Sequence, residues 1–225
     1  MKKMTAILLA VLGLLAMYPA AAGGESSGIE TGDVVLFGLY PQDDGTDETF
    51  IEWIVLDVRD GKALLLSQYG LDVKPFHTEG TGAAWETCTL RAWLNHDFLN
   101  TAFSPDGLAA ILVTGTDENG TEDRVFLLSR EEAERFLGVN GGNRNNTGAR
   151  IQPTPYALER GALTSADDQT ENGADAGSWW LRSPGLQPDS TACVAADGSM
   201  DERDARSGGI CVRPALWVDL NLGLI

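Results

Sequence analysis

The residues best suited to bind a ligand lie in a polar segment late in the chain, residues 186–207. Their side chains combine hydrogen-bond donors and acceptors, and the candidates are Asp189, Ser190, Asp197, Ser199, Asp201, Arg203, Asp204 and Arg206, with Glu202 among them. Short strands and turns carrying such side chains are typical of surfaces that bind a carbohydrate or a peptide. We therefore predict a ligand-binding surface here, and the alternative is an ordinary charged hairpin exposed to solvent.

Paired tryptophans precede this segment and offer an aromatic platform for the ligand. Trp179 or Trp180 could supply it, and Trp179 is included in the predicted site. Successive side chains of a strand point to opposite faces, so we expect one indole at the surface and the other in the core. For Arg182 and Arg213, which flank the polar segment, we predict a structural role: they tie strands together through carboxylates or carbonyl groups.

Residues that could support catalysis are scarce. His77 and His96 are the only histidines, and we expect His96, beside Asp97 on a predicted helix, to be a surface or packing residue. The sequence has no H-E-x-x-H motif and no phosphate-binding loop. Acidic residues are so numerous that no pair can be singled out as the carboxylates of a glycosidase. The chain is therefore predicted to bind rather than to catalyse, without a catalytic residue.

Two acidic loops, 43–48 and 117–123, place oxygen donors at alternating positions around a glycine, which suits a hard cation such as calcium. Neither matches the twelve-residue calcium loop, and a solvated acidic loop is the alternative. No metal site and no cofactor is predicted, and calcium bound by one of these loops is the alternative.

The three cysteines leave one thiol unpaired if a disulfide forms, and Cys193 with Cys211 is the candidate pair. The Asp197-Gly198 turn argues against it, because it predicts a strand between them. Strands two places apart are about 9.5 Å apart, which is too far for a disulfide. A disulfide can form only if the strand that carries Cys211 adds to the other side of the strand that carries Cys193.

Charge excludes some classes of partner. The 225-residue chain has 33 acidic and 16 basic residues. Without Lys2 and Lys3 it has 14 basic residues and a net charge of −19. Nucleic acid and anionic membrane surfaces require a basic footprint, so we expect neither as a partner.

The N-terminus has the pattern of a secretory signal peptide, predicted over residues 1–22. Lys2 and Lys3 form a charged region, residues 7–17 an apolar region, and residues 19–22 a small-residue cleavage site ending at Ala22. The apolar run is shorter than the roughly 20 residues of a membrane span. We therefore expect export, cleavage near Ala22, and a secreted or cell-envelope protein with no remaining span.

Residues 23–32 are predicted to be a flexible terminus and residues 33–225 a single α+β domain. Strands are expected at 33–41, 50–57 and 63–67, with a hairpin turn at Asp60-Gly61. A helix capped by Thr87 or Thr89 should follow, then helices capped by Ser104 and Ser129 and a short helix over 155–161. Between them we expect a strand at 124–128 and polar loops at 140–150 and 167–177.

Four segments of this chain resemble a bacterial family of exported proteins known as domain of unknown function 6273. They are 85–95 (WETCTLRAWLN), 125–129 (VFLLS), 179–185 (WWLRSPG) and 212–217 (VRPALW). The resemblance extends from about residue 32 to residue 218 and implies no assigned biochemical activity.

The late tryptophan-arginine segment and the strand around Arg213 are also similar, at the level of the fold, to C-type-lectin-like and formylglycine-generating-enzyme-type domains. That resemblance implies mixed or antiparallel sheets with two to three helices and long polar loops. It also implies that the final strand, 210–213 here, pairs with the first strand. The alternative functions are an enzyme derived from the formylglycine-generating scaffold, although Cys193 and Cys211 lack that group's close spacing, and a structural cell-envelope module.

Overall fold

The computed structural model describes residues 28–43, 47–79, 82–116, 120–143 and 146–225. The predicted signal peptide at 1–22 lies outside these residues, as do residues 23–27 of the predicted flexible terminus. Residues 28–32 are described, and the backbone N–H of Gly32 donates a hydrogen bond of 2.8 Å to the carbonyl of Val55.

The chain begins with the predicted meander of three antiparallel strands: β1 (Val34–Pro41), β2 (Glu48–Arg59) and β3 (Lys62–Ser67). The predicted turn joins β2 to β3, with φ at 50° for Asp60 and 70° for Gly61. Positive φ at both central residues gives a turn whose twist matches that of the strands, which is why Asp-Gly is favoured there.

The remaining elements are short. In the described part of the chain, the later strands are β4 (Asp72–Val73), β5 (Thr114–Gly115), β6 (Glu122–Asp123), β7 (Thr164–Gln169), β8 (Asp175–Gly177), β9 (Trp179–Pro184), β10 (Ser190–Val194), β11 (Met200–Asp204), β12 (Cys211–Val212) and β13 (Ala215–Asp219). The helices are α1 (Thr89–Trp93), α2 (Leu99–Ala102), α3 (Pro105–Ala110), α4 (Arg130–Leu137) and α5 (Pro155–Glu159).

Two sheets organise the molecule, and their arrangement confirms the α+β class. The first sheet has the order β1-β2-β3-β13, and the second has the order β11-β10-β9-β12-β4. Pairs within them are antiparallel except for β9 and β12, which run parallel. Two ribbons, β5-β6 and β7-β8, complete the strand pairing of the described residues.

The expected pairing of the final strand with the first is wrong. β12 joins the second sheet between β9 and β4, and β13 pairs with β3 over Ala215–Asp219. β1 therefore lies at the opposite edge of the first sheet. The reason is the burial of β3, whose residues from Ala63 to Ser67 are all buried and whose backbone needs a partner on each side.

Two of the helix caps are confirmed. Ser104 accepts a hydrogen bond from the N–H of Gly107, and Ser129 forms a capping box with Glu132. At α1 the cap is Cys88, whose sulfur accepts from the N–H of Arg91, rather than either predicted threonine. None of the described helices is long and apolar enough to span a bilayer.

α1 and α2 belong to one continuous helical segment, because a π-helical turn over Leu94–Phe98 joins them. With this segment counted once, the described residues contain four helical segments of the α type, as the residues predict and more than the two to three that the C-type-lectin-like resemblance implies.

Two predictions between these elements need correction. The strand expected at 124–128 is reduced to one bridge, between Phe126 and Ala215, because the segment runs along β13 without a continuous ladder. The loop expected at 167–177 instead lies within the ribbon β7-β8 and its turn. None of the residues of β7 is buried. Its sequence therefore lacks the alternation of apolar and polar residues that identifies a half-buried strand.

Candidate functional site

The predicted polar segment forms the hairpin β10-β11 at the edge of the second sheet. Its strands pair in register from Ser190 opposite Asp204 to Val194 opposite Met200. At the turn, the Asp197 carboxylate accepts hydrogen bonds from the N–H and the hydroxyl of Ser199, at 3.0 and 2.6 Å. Gly198 has φ of 83°, and a Cβ there would overlap the backbone oxygen of Asn146. Glycine therefore allows the turn to pack against the loop that contains Asn146.

A cavity of about 400 Å³ lies beside this turn, and we call it the tip cavity. Its lining residues are Gly141, Asp168, Ser178, Ala195, Ala196, Asp197, Ser199, Met200, Asp201 and Arg203. Four of the predicted site residues, at 197, 199, 201 and 203, are thus brought together. Asp168 and Ser178 are additions that the sequence did not indicate, because they approach through the ribbon β7-β8 and the start of β9.

Asp201 and Arg203 have the exposure that a binding site needs. They are two residues apart on β11 and therefore share one face of the hairpin. Their side chains form an ion pair and are 37% and 46% exposed. Arg203 also donates from Nη1 to the Glu202 carbonyl at 2.9 Å. The pair is held in place at the cavity and remains open to solvent.

The other predicted residues lie at the opposite end of the hairpin, which we call the hairpin base. Asp189 accepts a hydrogen bond of 2.8 Å from the N–H of Gly82 and lies 3.6 Å from Arg206. Asp204 accepts from the N–H of Arg206, and this hydrogen bond lowers the pKa of its carboxyl. The Ser190 hydroxyl donates to the Gln187 carbonyl at 3.1 Å. These residues mainly fix turns, and none of them lines the tip cavity.

Trp179 does not provide an aromatic platform. Both Trp179 and Trp180 are 0% exposed, so the expectation that one of them faces the surface is wrong. The second sheet is covered on both faces at β9. Trp179 donates to the Ala149 carbonyl at 3.0 Å, and on the other face Trp180 packs against Phe76 with ring centroids 5.9 Å apart.

The two arginines at the ends of the polar segment bind backbone carbonyl groups, as predicted. Arg182 donates to the carbonyls of Thr116 and Leu127 at 2.8 and 2.7 Å. It also forms an ion pair with Glu132, in which Nη2 donates to Oε1 at 3.1 Å. Arg213 donates from Nε to the carbonyl of Ser67 at 2.9 Å.

All three cysteines are buried and free. β9 separates Cys193 on β10 from Cys211 on β12, because β11 adds to the outer side of β10. Burial raises the pKa of Cys193 and of Cys211 to about 12, and that of Cys88 to about 11. At neutral pH these thiols are protonated and enclosed.

The histidines lie away from the tip cavity. The His77 ring nitrogen accepts from the N–H of Thr89 at 3.3 Å, and the His96 side chain is 83% exposed beside Asp97. Residues 44–46 and 117–119 of the two acidic loops lie outside the described residues. Within the described residues, no group of three His, Cys, Asp or Glu side chains could hold a metal ion.

Comparison with known proteins places the chain in a family context. A family model described as Domain of unknown function (DUF6273) matches residues 60–220, which include all residues that line the tip cavity. No curated protein and no solved structure gives a match.

Proposed function

This chain belongs to the family described as Domain of unknown function (DUF6273), and we propose that it is an exported, non-catalytic domain that binds a glycan in the tip cavity. The observation that carries the proposal is the meeting of Asp197, Ser199, Asp201 and Arg203 with Asp168 in one solvent-open cavity.

The chemistry of the lining favours a hydroxyl-rich ligand. Carboxylates at 168, 197 and 201 accept hydrogen bonds from hydroxyl groups, and the Arg203 guanidinium donates to hydroxyl oxygens. Met200 is the one large apolar side chain of the lining, and none of the described lining residues is aromatic. A peptide ligand would gain much of its affinity from apolar anchors in a pocket, which this cavity offers less well than hydrogen bonds.

Buried thiols support binding over the alternative, an oxidase built on cysteine ligands. A cysteine acts as nucleophile or metal ligand in its thiolate form. Burial raises the pKa of Cys193 and Cys211 to about 12, and β9 holds the two residues on strands two places apart. Neither residue lines the tip cavity.

Export and the finer fold assignment are part of the same proposal. The charged and apolar regions at Lys2-Lys3 and 7–17, with the small residues at 19–22, support cleavage near Ala22 and a location outside the cytoplasm. We also propose a C-type-lectin-like architecture, supported by polar hairpins carried on two sheets. The pairing of β13 with β3 differs from the terminal pairing that such a fold implies.

Binding is tested with an immobilised panel of neutral and acidic oligosaccharides, at constant ionic strength and with and without calcium. We expect saturable binding by wild type and its loss in Arg203→Ala and Asp201→Asn. Arg206→Ala is the matched control, because Arg206 lies at the hairpin base, with a similarly exposed side chain and outside the tip cavity. The control should bind like wild type.

Three results would overturn the assignment. Retention of oligosaccharide binding by Arg203→Ala would place the site elsewhere. Equal loss in Arg206→Ala would indicate a general effect on the hairpin. Binding of a peptide library, with no oligosaccharide bound, would replace the glycan with a peptide.

A further inference from the structure

Arg213 is a buried cation with at least one guanidinium nitrogen that has no hydrogen-bond partner among the described residues. The residue is 1% exposed, and its guanidinium lies against the Trp179 ring, with Cζ 4.8 Å from the ring centroid. Nε donates to the Ser67 carbonyl, whereas Nη1 is buried and has no hydrogen-bond partner. A buried polar group without a protein partner is rare in native proteins, so each one requires a specific explanation.

The charge of Arg213 is also uncompensated. Burial lowers the pKa of its guanidinium to about 9, and no acidic side chain of the described residues contributes to this shift. The group therefore remains charged at pH 7. Buried charges in proteins are ordinarily paired, so this cation calls for an anion.

A second arginine, Arg150, also has a buried nitrogen without a hydrogen-bond partner. Arg150 donates from Nη1 to the Gln169 carbonyl at 2.8 Å and pairs through Nη2 with Asp168 at 3.3 Å. Its Nε is buried and has no partner, and these two arginine nitrogens are the buried side-chain atoms without a partner among the described residues. Arg150 and Arg213 line one cavity of about 250 Å³, which we call the arginine cavity.

We propose that the arginine cavity binds a small organic carboxylate, held by the guanidinium groups of Arg150 and Arg213. The planar guanidinium donates in a geometry that matches a carboxylate. The apolar side chains of Ile54 and Ile151 line the same cavity and can contact the carbon part of the ligand. The volume is below that of pockets for drug-sized ligands, roughly 300–1,000 Å³, so the ligand or its bound group is small.

Charge favours a carboxylate over a phosphate. Arg150 already shares the carboxylate of Asp168, so the uncompensated charge is the single charge of Arg213. Glu171, an exposed residue, adds a negative charge to the cavity lining. A monoanion matches the single unpaired charge of Arg213, whereas a dianion would be repelled more strongly by the acidic groups.

This site is separate from the tip cavity. Arg150 lines the arginine cavity and its partner Asp168 lines the tip cavity, so one ion pair stands between the two. The proposal does not depend on glycan binding, and Arg203→Ala should leave it intact.

The test measures thermal stabilisation at pH 7 by sodium propionate, with chloride and phosphate at matched ionic strength. We expect a saturable rise in melting temperature with propionate alone. Arg150→Gln and Arg213→Lys should each weaken propionate binding about tenfold, since each removes charge-assisted hydrogen bonds. Glu171→Gln should strengthen it severalfold because it removes a repulsive charge. Arg135→Gln, a change on α4 outside the cavity, should have no effect.

Circular dichroism establishes that each variant is folded, and Arg150→Gln carries the test if Arg213→Lys is not. The Arg150 Nε–H resonance in ¹⁵N NMR should shift with propionate concentration. No rise in melting temperature with propionate, or a rise unchanged in Arg150→Gln, would overturn the proposal. Equal stabilisation by phosphate would overturn the choice of a carboxylate.

Discussion

Arg182 and Arg213 each follow an apolar strand residue, yet the surroundings of their side chains differ: the Arg182 side chain is 10% exposed, whereas Arg213 is 1% exposed. Arg182 has two carbonyls and the carboxylate of Glu132 as acceptors. Arg213 has the carbonyl of Ser67 and the face of Trp179, with one nitrogen left over. Arg182 thus connects its strand to neighbouring segments, whereas Arg213 retains donors for something else. An arginine that is largely shielded from solvent is structural or available for a ligand according to how many of its donors are satisfied.

The largest effect is expected from removing the satisfied arginine. Arg182→Met should lower the free energy of unfolding by about 3 kcal/mol, because Glu132 and two carbonyls lose their donor. Urea denaturation followed by circular dichroism measures this. A loss of stability below about 1 kcal/mol would contradict the idea that Arg182 stabilises the fold more than Arg213 does.

The surroundings of Arg213 can be tested through its neighbour Cys211. Burial raises the pKa of this thiol to about 12, so the folded state keeps a proton that the unfolded chain releases above about pH 9. The contribution of the thiol to stability is therefore complete below pH 9 and is lost as the pH rises towards 12. Wild type should lose about 1.4 kcal/mol per pH unit relative to Cys211→Ala in this window.

Guanidinium denaturation of both proteins at pH 8, 9 and 10 measures the difference. The comparison cancels the contribution of Arg213, whose lowered pKa acts in the opposite direction over the same range. Parallel stability curves for the two proteins would mean that the thiol is not in a low-dielectric environment.

Removing the unsatisfied arginine should cost little. Arg213→Met loses one hydrogen bond and the contact with Trp179 but also removes an uncompensated buried charge. Since replacing buried ions by apolar side chains is often neutral or stabilising, we expect a change within about 1 kcal/mol in urea denaturation. A loss equal to that of Arg182→Met would make both arginines structural.

The smallest effect is expected at the tip cavity. Arg203 is half-exposed and paired with Asp201, and exposed pairs contribute little. Arg203→Ala should change the free energy of unfolding by less than about 0.5 kcal/mol. The same denaturation assay checks this, with Arg206→Ala measured alongside. A loss of stability above about 1 kcal/mol would mean that Arg203, like Arg182, has a structural role.

Local features of the fold could be predicted from the sequence because a few neighbouring residues determine them. Asp60-Gly61 adopts its turn through its own backbone preferences, and Ser129 with Glu132 caps α4 within one turn. The burial of Trp179 could not be predicted in this way. It depends on Ala149 and Arg213, which cover it from distant parts of the sequence.

The same distinction between local and long-range determinants applies to the candidate site. The hairpin β10-β11 follows from its own turn and polar strands, so the sequence identified four residues of the tip cavity. Asp168 comes from a ribbon whose strands lack apolar alternation, and no sequence signal connects it to Asp201. The unpartnered nitrogen of Arg213 is invisible to sequence, because it depends on which acceptors fail to reach it.

β12 and β13 are separated by Arg213 and Pro214 alone, yet they complete different sheets. Until residues 211–219 have been synthesised, β3 lacks one neighbour, and β12 is not available to join β9 to β4. The nascent chain therefore cannot close either sheet early, and its slowest contacts join segments about 150 residues apart, such as Ser67 and Arg213. A chain with this topology completes its folding after translation of these late strands.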